Sequence, residues 1–498
     1  MKRTITALLL IAMLLGTIAS CGEKTPAETT QKQTANTDTA STETETEAET
    51  EMQPDIPALD FGGEAFVCLT SGPSDDNGTD WITYDVWVES LTGEAINDAV
   101  YNRNAYLMEN YNIVLSEIKS TGTTLTQTKK AVQSGSDEYD LVFTNISAGC
   151  TLAQDGNLLN LYDMPYMDMA KPWWDQKAVR DLTLLGSLYF ATGDITVIDN
   201  DATWVLMFNK EMYKNHGFDD LYDLVRENKW NYDTFYGMIQ TASLDVNGDG
   251  KMYGPDDTFG FATSGDSNQG LLYASGELLT KRDENDRPIL TSNTERLSKV
   301  VEAGGKIMSD TSCTVITGKQ GIAGSNELRF VFEEGRSLFF GEVMQCITRM
   351  RDSETAFGLI PWPKFDETQK DYCNFVHSTA GKGIVIPATQ NNMELAGAIT
   401  EAMAAKSMYT LTPAYFDVSL TFKSMRDNES AEMLAIILES RCYDLGYIYN
   451  WGGLYSSVVG LVGNGKAENF ASTWEKSATK FDTALDKTMT AYEELKNR

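Results

Sequence analysis

Between positions 245 and 256 the chain spaces its oxygen-bearing side chains as a calcium loop does. Asp245, Asn247 and Asp249 stand at positions 1, 3 and 5, Gly250 follows at 6, and Asp256 returns at 12. In such a loop alternate residues converge on one hard cation, and the glycine permits the sharp turn. Lys251, at position 7, would contribute its backbone carbonyl and not its ammonium group. The spacing therefore predicts a structural Ca2+ site, with Asp256 where a glutamate is more usual. The same Asn-Gly-Asp-Gly run also makes a metal-free turn, since these residue types close tight backbone turns unaided.

Nothing comparable points to catalysis. His216 and His377 are the only histidines, too few to build a typical zinc site, and His377 lies in Asn374-Phe375-Val376-His377-Ser378 without a nucleophile elbow. The 72 Asp and Glu residues bring carboxylates together almost anywhere, whereas a glycosidase pair has meaning only at a defined separation. No GxGxxG or P-loop follows a strand pattern. We expect no enzymatic activity and no catalytic cofactor.

Binding chemistry is better represented. Sugars offer apolar C–H faces to aromatic rings and hydroxyls to carboxylates and amides. The candidates stand where strand patterns end. Asn145 and Ser147 follow the run 139–144, Asn268 and Tyr273 follow 259–261, and Glu342 follows the apolar run 338–341. Trp451 precedes Gly452 and Gly453, a context that suits an exposed ring, although packing is the competing reading. Trp204 sits in an apolar strand pattern and is expected in the core, and Trp173 and Trp174 are expected to pack.

These residues need a frame. Strand patterns at 65–69, 111–118 and 139–144 alternate with helical patterns at 93–110 and 126–132, a β-α-β-α-β series that predicts a parallel sheet with ligand-facing loops at its carboxyl edge. A second stretch holds 204–210, 330–340 and 357–363. A strand at 383–387 and a helix at 393–405 follow, and the last hundred residues read mainly as helix.

The N-terminus reads as an export signal. Lys2 and Arg3 precede an apolar run over 7–15, and Ile18-Ala19-Ser20-Cys21 ends it as a lipobox would, so that Cys21 is the expected lipidated residue. Residues 22–57, rich in Thr, Glu and Ala, cannot bury enough apolar surface to fold, and are expected to form a tether reaching on the order of 30 Å. The rest of the 498-residue chain is too long for one core. A net charge of −32 leaves no basic footprint for nucleic acid. The six cysteines after Cys21 have irregular spacing and no CxxC, and read mostly as small buried hydrophobes.

Several motifs, taken in order, carry a resemblance. They are Gly93-Glu94-Ala95-Ile96-Asn97-Asp98 with Arg103-Asn104, Tyr139-Asp140-Leu141, Trp173-Trp174-Asp175, Phe208-Asn209-Lys210, the block at 332–335 and that at 357–361. The chain resembles the family 1 extracellular solute-binding proteins of ABC importers, the group that includes maltose- and oligosaccharide-binding proteins. The resemblance implies an α/β periplasmic-binding-protein-like fold of two lobes around an interlobe cleft. Lobe 1 would take residues 58–162 and 381–425, and lobe 2 residues 163–380 and 426–498. It also implies a cleft contact at Glu342, a small solute such as a sugar as ligand, ABC permease subunits as partners, and a monomer anchored by lipid on the outer face of the cell membrane. A surface carbohydrate-capturing or glycoside-active lipoprotein without a transporter is the alternative.

Overall fold

The structure is a computed structural model in which residues 51–75, 78–292, 294–420 and 428–496 are described. Cys21 and most of the expected tether lie outside these residues. The architecture below is that of the compact unit Pro54–Arg498.

Thirteen strands, numbered in chain order, occur among the described residues. β1 (Glu64–Thr70), β2 (Ile113–Lys119) and β3 (Leu141–Asn145) form one sheet with β12 (Lys382–Val385), in the order β12-β3-β1-β2. β4 (Trp204–Asn209), β5 (Phe259–Thr263), β8 (Thr314–Ile316), β9 (Ser337–Val343) and β10 (Phe357–Ile360) form the other, in the order β10-β4-β9-β5-β8. Two ribbons pair β6 (Thr280–Arg282) with β7 (Pro288–Leu290) and β11 (Asn374–Phe375) with β13 (Arg441–Cys442).

β1 runs parallel to β2 and β3, with Ala65 opposite Val114 and Cys68 opposite Leu141. The helices Ala95–Tyr111 and Thr124–Ser134 make the crossovers that parallel strands require. All five residues of β3 are buried, which is why Leu-Val-Phe-Thr reads as a continuous apolar run and not as an alternation. One strand departs from the expected parallel sheet: β12 pairs antiparallel to β3, with Lys382 opposite Asn145. Its chain arrives from the second sheet and enters at the carboxyl edge of β3, so it must run the other way.

The same local device ends one strand in each sheet. Asn145 closes β3 and caps the helix Ile146–Gln154, its side-chain oxygen accepting the Ala148 N–H at 2.8 Å. Asn209 closes β4 and caps the helix Lys210–His216 through the Met212 N–H at 2.9 Å. An asparagine supplies the orphan-donor partner that a helix start needs, and holds the strand-to-helix turn.

The chain crosses between sheets side by side with itself. Residues 192–203 lead into β4, and residues 361–381 lead back to β12. Thr203 bridges Val376, and the His377 N–H donates to the Ala202 carbonyl at 3.0 Å. Arg441 of β13 pins this region, with Asp175 at 2.7 Å and Asp199 at 2.9 Å. Trp173, Trp174 and Trp204 are buried as expected. The indoles of Trp173 and Trp174 donate to the two oxygens of Glu401, at 3.1 and 3.0 Å. The six cysteines within the described residues are free thiols, and five of them are buried. Among the described residues no helix is long and apolar enough to cross a membrane.

Candidate functional site

The carboxyl edges of the two sheets meet. The segment after β1 carries Asp80, whose carbonyl accepts from Gln345 and whose carboxylate pairs with Arg349 of the second sheet's side at 3.0 Å. Beside this contact lies a cavity of about 150 Å³. Asp80 and Trp81 line it from one side; Asn326, Arg329, Glu342 and Arg349 line it from the other.

Glu342 is the penultimate residue of β9. Burial pushes its carboxyl up to about 7, and nearby Asp266 adds to this, while the Val343 N–H and Arg349 work against it. Near neutral pH such a group both donates and accepts hydrogen bonds, as a sugar hydroxyl requires. Asp266 also bears on His377, whose imidazole is held below its ordinary range by burial, with Asp266 opposing, and on Tyr447 and Tyr455. The Ser378 N–H donates to Tyr447 Oη at 2.9 Å, and Ser147 Oγ donates to Ser378 Oγ at 2.8 Å. Ser147, Ser378 and Tyr447 thus form one hydrogen-bonded chain, and the Asp266 charge is felt both there and at Glu342.

At the crossing, Tyr84 and Tyr415 donate their hydroxyls to the two oxygens of Asp201, at 2.8 and 2.9 Å. Burial pushes the Asp201 carboxyl up to about 6. Tyr84 as a whole remains 41% exposed.

The other sequence-derived candidates lie elsewhere or are committed. Asn145 is buried at the sheet edge with its side-chain oxygen used in capping. Asn268 lies in the helix Ser267–Ala274 against Gly463. Tyr273 is buried, stacks on Phe375 at 5.4 Å and donates to Asp444 at 2.9 Å. Trp451, expected as an exposed ring, is only 3% exposed. It stacks on Tyr449 at 5.0 Å and donates to Thr488 at 2.9 Å. The glycines after it serve close approach: a Cβ at Gly452 would stand 2.8 Å from the Phe481 nitrogen, and φ there is +66°.

Trp81, Tyr84, Arg349 and Asp201 were not singled out from the sequence. Trp81 and Tyr84 lie more than ten residues beyond the end of β1, in and just after the turn Gly78–Trp81, so no strand-end signal marks them. Arg349 and Asp201 enter only through the tertiary fold.

The loop at 245–256 is closed by its own hydrogen bonds. Asp245 accepts the Gly248 and Gly250 N–H groups at 2.7 and 2.8 Å, Asn247 accepts that of Asp249 at 2.9 Å, and Asp249 accepts that of Lys251 at 2.8 Å. Asp257, fully buried, accepts from Val246 at 2.9 Å and Tyr253 at 2.7 Å, while Asp256 is exposed. Among the described residues no group of three or more His, Cys, Asp or Glu side chains is gathered to hold a metal ion.

No family model and no curated protein sequence matches the chain. Solved structures do match. UgpB from Mycobacterium tuberculosis in complex with glycerophosphocholine is 15% identical, with 84% of this chain and 100% of that chain covered at a TM-score of 0.54. A cyclo/maltodextrin-binding protein complexed with maltotetraose is 12% identical, covering 87% and 97% at 0.53. A family 1 extracellular solute-binding protein from Bifidobacterium longum subsp. infantis is 12% identical, covering 86% and 99% at 0.51. The fold is therefore the α/β, periplasmic-binding-protein-like one of family 1 extracellular solute-binding proteins.

Proposed function

We propose that this protein captures a carbohydrate or similar polar solute in the crevice between its sheets and delivers it to the permease of an ABC importer, without enzymatic activity. The observation that carries this reading is the cavity itself: Trp81 offers an aromatic face and Asp80, Arg329, Glu342 and Arg349 offer polar groups, between the segment after β1 and the end of β9. Ligands of open α/β sheets bind at the carboxyl ends of their strands. The likeness to proteins solved with maltotetraose and glycerophosphocholine supports a polar solute. In this reading the lobes divide as the sequence suggests, near residues 162, 380 and 425. Cys21 is lipidated, the tether holds the domain at the outer face of the membrane, and the protein works as a monomer. The loop at 245–256 holds a structural calcium ion.

Replacing the crevice groups tests the reading. Trp81→Ala and Glu342→Gln should each weaken solute binding several-fold in a calorimetric titration with the melting curve of the free protein preserved. Unchanged affinity in both variants would move the solute site elsewhere.

A further inference from the structure

On its C-terminal helices the molecule carries a basin of the opposite charge to its surface at large. The cavity, about 520 Å³, lies between the turn Trp451–Gly453, the helix Leu454–Asn464 and the helix Phe470–Lys496. Lys466, Lys476 and Lys480 line it, and no Asp or Glu does. Over the whole chain, acids outnumber Lys and Arg by 72 to 40. Glu475 and Asp482, on the helix Phe470–Lys496, stay outside the lining. Among the described residues the three ammonium groups make no ion pair, although carboxylates abound nearby in sequence.

The arrangement is unfavourable in isolation, because three like charges around one concavity repel each other and forgo the pairing an acidic surface offers. A concavity lined by one sign of charge concentrates counter-ions. Gly453 and Gly460 present backbone to the basin with open space beside them, while Gly452 seats the turn against the helix Phe470–Lys496, where a Cβ would stand 2.9 Å from the Lys480 carbonyl carbon. Ser457, Asn464, Thr473 and Ser477 add neutral hydrogen-bonding groups. The volume falls within the roughly 300–1,000 Å³ typical of small-molecule sites. Lysines act as point charges toward oxyanions and discriminate little by geometry.

We propose that this basin is a second binding site, separate from the crevice, for a small multiply charged oxyanion of the phosphate or sulfate ester class. Pyrophosphate is the probe. On the full chain at low ionic strength, calorimetry should show one pyrophosphate bound, with affinity falling as salt rises. The triple variant Lys466→Ala, Lys476→Ala, Lys480→Ala should weaken it at least tenfold, while its unliganded melting curve and its solute binding in the crevice stay as in wild type. Lys476→Glu alone gives the same direction of change with a single exposed substitution. A parallel arm asks whether a lipid headgroup carries the anion: sedimentation with phosphatidylglycerol vesicles that pyrophosphate competes away, and that the triple variant loses, supports the phosphate class with lipid as its source. Equal pyrophosphate binding by wild type and triple variant, no pyrophosphate binding, or vesicle binding that pyrophosphate does not displace would each overturn the proposal.

Discussion

Glu342 and Asp201 hold protons to unusually high pH for one reason, burial among polar groups that do not fully replace water, at about 7 and about 6 respectively. For Glu342 the consequence reaches function, because the crevice gains a negative charge as pH rises through 7. If the solute is held by a neutral Glu342, its affinity falls above that pH in wild type and loses that dependence in Glu342→Gln, which a calorimetric pH series reads directly. The calcium proposal is a residue-scale matter as well. Chelation should lower the melting temperature of wild type but not of the double variant Asp245→Ala, Asp249→Ala; identical melting curves with calcium and with chelator remove the ion from the account. The turn at 245–250 was legible in the sequence, whereas the carboxylate that closes the loop by accepting the Val246 and Tyr253 N–H groups, Asp257, was not, because spacing does not say which of two neighbouring acids the backbone swings inward.

At the scale of elements, the alternating series was legible because its helices and strands each satisfy their own period. The strand β3 and the cap at Asn145 follow from local chemistry alone. The direction of β12 was not legible, since it depends on where a chain returning from the other sheet enters. Nor was the burial of Trp451, because a glycine-rich turn reads the same whether it frees a ring or lets two backbones touch. The packing around the helix Met393–Ser407 gives a sharp test. Glu401 is buried and receives both indole N–H groups, and burial pushes its carboxyl up to about 7. Glu401→Ala strands two buried donors and should cost about 2–5 kcal/mol of stability, whereas Glu401→Gln keeps one acceptor and should cost less. Chemical denaturation of both variants measures this, and equal, small losses would show that the indoles find water or other partners.

For the molecule as a whole, burial raises several acids together: Asp194 and Glu401 to about 7, Asp199 to about 6, alongside Glu342 and Asp201. Between the ordinary carboxylate range and pH 7 the folded state holds more protons than the unfolded one, so stability falls as pH rises through that window and levels off above it. His377, depressed by burial, acts the other way below its ordinary range, and Asp366, held at about 2 by Arg296, loses its contribution only under strong acid. The melting temperature should therefore be higher near pH 5 than at pH 8, and a flat profile would contradict the burial of these groups. Export is a whole-molecule claim that the sequence alone carries: Cys21→Ser should release the protein from washed membranes, and a variant that stays bound refutes the anchor. The central claim is solute capture, and its most direct measurement is the melting temperature of the wild-type chain across a library of mono- and oligosaccharides, alditols and glycerophosphodiesters. A solute at a hundredfold excess over its Kd adds about 2.7 kcal/mol of stability. One chemical class should raise the melting temperature in wild type and raise it less at the same concentration in Trp81→Ala; a library in which no polar solute shifts the transition would contradict solute capture.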